Sequence, residues 1–167
     1  VATTRPETML GDSAIAVSPK DERYKKLVGK KVILPIRSRE IPIISDIAVE
    51  KEFGTGALKV TPSSDFVDAE MGERHNLPVH KIIDEHGRMN GNAGIRYEGL
   101  KTTEAREKIV ADLQALGLIE KIDDYEHNIA RCDRCNSIIE PLPSKQWFLK
   151  MSELAKLALK PIKNGEL

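Results

Sequence analysis

The sequence predicts an α+β fold, a small mixed β-barrel or curled sheet with flanking helices. Three observations point there. At 167 residues the chain can bury one ordinary core but not comfortably two. Its 40% hydrophobic and 31% charged residues lie near the average of folded globular chains and far from disordered compositions. Short β-type runs crowd the first half, whereas apolar spacing of helical period becomes clear only in the second.

Five β-type runs are read at residues 1–4, 14–17, 31–36, 40–49 and 56–61, mostly separated by Gly, Pro, Asp or Ser. Pro35 and Pro42 cannot donate to a ladder, so their runs are expected to be edge-like, bulged or bent there. Ser64 is placed to cap a helix from Asp65 to about His75, which Asn76-Leu77-Pro78 closes. A further strand is read at 79–84, and a mobile, turn-rich loop at 85–92. The clearest helix spans 102–116, because Ala105, Ile109, Leu113 and Leu116 share a face and Gly117 follows as a stop. It reads as scaffold. The amphipathic stretch 151–160 ends at Pro161 and reads as the start of a helix leading into another domain. No internal repeat or low-complexity tract is visible.

Twenty-six basic residues balance twenty-six acidic ones, so no global positive field marks a nucleic-acid binder. Any RNA contact has to come from a local patch. The two cysteines, in Cys132-Asp133-Arg134-Cys135, make no disulfide framework, and no signal peptide or long apolar span is seen. The expectation is a cytoplasmic protein without a membrane partner. Because the chain starts at Val1 and stops at Asn164-Gly165-Glu166-Leu167, it is expected to be a piece of something larger.

Alternation along 56–61 puts Leu58 and Val60 on one side and Lys59 and Thr61 on the other. A cation and a hydroxyl thus share a face. Asp65 and Asp68, three apart at a helix start, form an anionic corner suited to an ammonium group, and the helix dipole favours their ionised forms. The bland alternative is that the acids only cap a helix while Lys59 is solvated. Thr3-Thr4-Arg5-Pro6-Glu7-Thr8 gathers three hydroxyls and an arginine whose planar fork matches phosphate or carboxylate, although threonines are also ordinary strand residues.

Other chemistries find little support. Gly54-Thr55-Gly56 lacks the third glycine of a dinucleotide fingerprint, since Lys59 stands in its place. No G-x-S-x-G elbow exists, and neither cysteine has an obvious histidine partner, which argues against a covalent Ser or Cys mechanism. Cys132 and Cys135 have metal-ligand spacing with His127 upstream, but no second pair completes a zinc site. His75, His80 and His86 read as structural or surface residues, and a metal gathered by Asp65, Asp68, His75 and His80 is a remote alternative.

Taken together, Thr3-Thr4-Arg5-Pro6-Glu7-Thr8-Met9-Leu10-Gly11-Asp12, Phe53-Gly54-Thr55-Gly56-Ala57-Leu58-Lys59-Val60-Thr61-Pro62 and Arg74-His75-Asn76-Leu77-Pro78 resemble the editing insertion of valyl-tRNA synthetases. The tail Ile139-Glu140-Pro141-Leu142-Pro143-Ser144-Lys145-Gln146-Trp147-Phe148 resembles the stretch where that insertion returns to the catalytic body. Leucyl enzymes share a TTRP start and a GTGA run. Glu7-Thr8-Met9-Leu10 and the Lys59-Val60-Thr61 strand favour the valyl type. Where the family usually reads AHDPND, this chain has Ser63-Ser64-Asp65-Phe66-Val67-Asp68, keeping both aspartates but not the histidine or asparagine.

The resemblance implies post-transfer editing, hydrolysis of threonine from tRNA(Val). A valine pocket rejects an isosteric hydroxyl analogue poorly, valyl enzymes being the standard instance of that limit, so a second sorting site is needed. By family likeness Asp68 holds the α-ammonium, and Asp65 helps recognise the threonine hydroxyl or fix the water. Catalytic roles thus fall to Asp65, Asp68 and Lys59, and substrate contacts to Thr3, Thr4, Arg5, Thr8, Thr61 and Asp68. The implied domain covers 1–150, with 151–167 starting the return to the synthetase body. No metal or cofactor is expected in it, ATP being used by the absent catalytic domain. Its partners are the tRNA(Val) 3′ end carrying threonine and the rest of the synthetase chain, and the expected state is a monomer. The alternatives are a leucyl- or isoleucyl-type editing domain and a non-catalytic tRNA-docking module.

Overall fold

A computed structural model describes residues 1–165. A 3-10 helix at Pro6–Gly11 leads into strand β1 (Ala14–Val17), followed by β2 (Lys31–Leu34), β3 (Arg39–Ser45) and β4 (Ala57–Val60). Helix α1 (Phe66–Arg74), a short 3-10 turn at Gly91–Ala93, α2 (Thr102–Ala115) and α3 (Ser152–Lys163) complete the order. The strands form one open mixed sheet in the order β2-β3-β1-β4, not closed into a barrel.

Strand β3 is interior, so of the edge-like, bulged or bent forms that Pro42 suggests the edge position does not hold. The physical reason lies in the register. Residues 39–42 of β3 pair antiparallel with β2, ending at Lys31 opposite Pro42, whereas Ile43, Ile44 and Ser45 pair parallel with Ile15, Ala16 and Val17 of β1. Pro42 therefore sits where the strand changes partners, at a point that tolerates a missing donor.

The two faces of the sheet carry different layers. On one, Ile15, Leu34 and Ile41 join Met9 and Leu10 of the first 3-10 helix, Tyr97, and the α2 residues Ala105, Ile109 and Leu113 in the main core. Their i, i+4, i+8 spacing gives α2 a narrow buried stripe, and each fully buried Leu or Ile contributes about 1.5–3 kcal/mol. Leu116, read on the same stripe, is exposed. On the other face Ala14, Ala16 and Val60 pack with Val49 and with Met71 of α1. Gly72 lets α1 lie close, since a Cβ there would stand 3.0 Å from the Pro62 ring.

Several expected elements take other forms. Residues 1–4 are not a strand; the chain enters directly into the 3-10 helix behind Pro6. Asp65, not Ser64, caps α1, its side chain accepting from the Val67 and Asp68 N–H groups. The run 79–84 contributes only a bridge between Ile83 and Met89. Two of its carbonyls are met by side chains instead, His80 by the Ser63 hydroxyl and Lys81 by the amides of Asn90 and Asn92. Helix α3 continues through Pro161 to Lys163, and none of its residues is buried. Among the described residues no helix is long and apolar enough to cross a membrane.

Candidate functional site

The site is built where the first 3-10 helix, the end of β4 and the start of α1 meet. Alternation along β4 turns Lys59 away from Val60 and onto the face of the main core, where burial of an ammonium demands partners. It has them. Lys59 Nζ donates to Thr8 Oγ1 at 2.6 Å and to Thr61 Oγ1 at 2.7 Å, and Asp12 Oδ1 lies 3.6 Å away. Thr61 in turn donates its hydroxyl to Asp12 Oδ1. All four side chains are buried.

Asp68 stands across this cluster. Its Oδ2 accepts the Thr61 N–H at 2.8 Å, while its other oxygen receives no hydrogen bond among the described residues. Burial pushes the Asp68 carboxyl up from its ordinary range, against the Thr61 N–H and Lys59, which favour its charge. Asp12 is pushed up to about 6 by burial, which outweighs the Lys59 charge and the Thr61 hydroxyl. The arrangement offers one buried cation, two buried carboxyls and two oriented hydroxyls, a set suited to a small zwitterionic or ammonium-bearing ligand.

The other predicted residues are placed differently. Thr3 and Thr4 are exposed, Thr3 accepting the Arg5 N–H. Arg5 is no free phosphate fork: it donates to Glu7 at 3.1 Å and pairs with Glu140, while a third contact reaches the Ser64 carbonyl. Glu7 is fully buried and takes two 2.9 Å bonds from Arg106 of α2. Although burial alone would raise it, these arginines hold its carboxyl below the usual range. Asp65 is exposed and spends one oxygen on the α1 cap.

Sequence reasoning missed Asp12, Glu7, Arg106 and Glu140 as parts of this assembly. Asp12 carries no local signal of its role in the sequence, yet it is the acid nearest Lys59. The histidines lie elsewhere: His75 contacts Asp46 at 2.9 Å, His86 sits exposed on a turn, and His127 stacks on Tyr125. Cys135 Sγ lies 3.3 Å from the Ser137 hydroxyl, and a hydrogen bond from that hydroxyl to the thiolate leads the causes holding the thiol below the ordinary range. Among the described residues no three His, Cys, Asp or Glu side chains gather so as to hold a metal ion, whether at the Cys132 pair or around Asp68.

No protein-family model matches the chain. The valine–tRNA ligase of Geobacter sulfurreducens is 54% identical over 165 residues, covering 99% of this chain. That of Thermotoga maritima is 54% identical over 167 residues, covering all of it. The chain belongs to the valine–tRNA ligase family. It spans only 18% and 19% of the length of these two relatives. A solved structure described as GlLeuRS-CP1 covers 77% of this chain and 83% of its own at a TM-score of 0.57. At 12% identity that likeness concerns the fold alone. Within the valine–tRNA ligase segment, Lys59 and Thr61 share a face as alternation predicts, and Asp68 faces the same cluster.

Proposed function

We propose that this valine–tRNA ligase segment is a post-transfer editing hydrolase that removes threonine from mischarged tRNA(Val). The observation that carries the reading is the half-satisfied carboxylate of Asp68. One oxygen is pinned by the Thr61 N–H and the other is left for a ligand, in a buried setting where an ammonium partner is worth far more than in water.

In this reading Asp68 takes the α-ammonium of the aminoacyl group. Thr8 and Thr61 meet the polar end of the substrate, and Lys59, already donating to both hydroxyls, extends its charge to the ester through them. Threonine satisfies such polar groups, whereas valine would leave them unpaired. The ester is already activated, so a positioned water and stabilisation of the developing oxyanion suffice, with no protein nucleophile. Asp65, at the α1 cap beside Asp68, is assigned to the threonine hydroxyl or the water. Arg5 supports the pocket through Ser64 and Glu7. Residues 1–150 form the editing domain in this account, and 151–167 start the return to the synthetase body.

The test is deacylation of Thr-tRNA(Val) against Val-tRNA(Val), with Ile- and Leu-charged tRNAs as further arms. Selective threonine release is expected. Release of another amino acid would transfer the assignment to an isoleucyl or leucyl type, and binding without turnover would leave a docking module.

A further inference from the structure

Arg37 and Arg39 flank the tip of the β2–β3 hairpin, where Ile36 (φ 66°) and Ser38 (φ 47°) hold the left-handed region on either side of Arg37. Both guanidiniums are half-buried, and both Nε atoms are buried without a hydrogen-bond partner among the described residues. Arg5, Arg23, Arg74, Arg96 and Arg106 each pair with a carboxylate. Among the described residues Arg37 and Arg39 pair with none, as is also true of Arg88, Arg131 and Arg134. The Arg37 side chain makes no hydrogen bond among the described residues and lies against Gly94, where a Cβ would stand 2.7 Å from Nη1. Arg39 donates to the carbonyl of Asp12 at 2.7 Å, and so touches the residue whose carboxylate closes the Lys59 cluster. His80 lies near both, and its imidazole is held below its ordinary range by burial and by these two cations.

Two guanidiniums brought together with no carboxylate bonded to either, their Nε atoms sealed inside and Arg39 anchored on the Asp12 carbonyl, leave terminal Nη groups to meet the oxygens of a phosphodiester. Their site also lies close to the Lys59 cluster, through the Arg39 contact with Asp12. Ile15, Lys59 and Ile43 stand opposite one another across β1, β4 and β3, and alternation along β3 puts Arg39 on that same face. In a chain of zero net charge, such a local patch is what RNA contact requires.

The geometry points to Arg37 and Arg39 as the site that grips a backbone phosphate of the RNA whose 3′ end enters the Asp68 pocket. This rests on the editing reading. It adds a contact that fixes the strand rather than the amino acid.

The experiment follows the Nε–Hε NMR resonances of Arg37 and Arg39 while a deacylated RNA hairpin, carrying the tRNA(Val) acceptor stem and its single-stranded end, is added. Both resonances are expected to shift. Arg37→Gln should weaken binding about three- to tenfold and lower the salt slope by about 0.7, one single-strand phosphate contact's worth. Its melting temperature should fall little, because the side chain loses packing against Gly94 but no hydrogen bond or ion pair. Arg37→Lys keeps the charge without the fork and should recover only part of the affinity. Resonances unmoved at millimolar RNA, or an unchanged slope in Arg37→Gln, would overturn the proposal. An equal shift with inorganic phosphate at matched ionic strength would overturn its RNA assignment. Shifts without any deacylation by the parent protein would leave the phosphate site standing and remove the editing reading.

Discussion

Lys59 and Asp12 face each other at 3.6 Å inside the protein, with the Thr61 hydroxyl bonded to both. Removing one member of a buried pair leaves the other uncompensated, so Lys59→Met should destabilise by about 3–5 kcal/mol. Adding Asp12→Asn to that variant should restore part of the loss, with a coupling of about 1 kcal/mol or more. Urea unfolding of the four proteins measures this, and strict additivity would show that the pair is not energetically linked.

Asp12 also governs pH dependence. Its folded carboxyl titrates at about 6, against 3.8 for the free group, so the folded state holds a proton that the unfolded chain releases. Its contribution is therefore fully present below about pH 4 and is lost as pH rises through 6. Asp46 acts oppositely. Despite burial, Arg74, the Ala48 N–H and His75 hold it at about 2, so its contribution is present above about 4 and lost as pH falls through 2. Unfolding free energies at pH 4, 5 and 6 should decline, and Asp12→Asn should flatten that decline. An unaltered slope in the variant would assign it to other groups.

Glu7 locks the first 3-10 helix to α2 through Arg106, and to Arg5 beside it. Glu7→Gln cannot accept two forks as a carboxylate does, and should cost about 3 kcal/mol. Because Arg5 also holds the Ser64 carbonyl, deacylation should fall along with stability. A thermal melt and a rate assay on the same sample check both.

Capping and chemistry are separable at Asp65. Asp65→Ala should cost about 1 kcal/mol through loss of the α1 cap, whereas Asp65→Ser keeps a cap and removes the carboxylate. If Asp65 acts on substrate or water, Asp65→Ser will be stable and slow. A stable variant of full rate would confine Asp65 to capping.

Legibility followed the range of the interactions. The shared face of Lys59 and Thr61 needs only alternation along one strand, and the α2 stripe needs only helical period; both could be read locally. Asp68 was legible because α1 begins so near β4. The Asp12–Thr61 and Glu7–Arg106 contacts join residues 49 and 99 positions apart, and nothing local marks them. The run 79–84 reads as a strand because it is short, partly apolar and followed by a turn-rich loop, but the Ser63, Asn90 and Asn92 side chains satisfy backbone that a neighbouring strand would otherwise pair. Pro42 read as an edge signal because the exchange of partners along β3 leaves no mark in the sequence.

The most direct test of the central claim is single-turnover deacylation of Thr-tRNA(Val) by Asp68→Asn. The asparagine oxygen can still accept the Thr61 N–H, so the fold and the pocket wall stay while the charge that would hold the α-ammonium goes. The account predicts a loss of about 100-fold, or roughly 3 kcal/mol, a charged hydrogen bond's worth, with threonine-selective release in the parent. A parental rate in Asp68→Asn would contradict it.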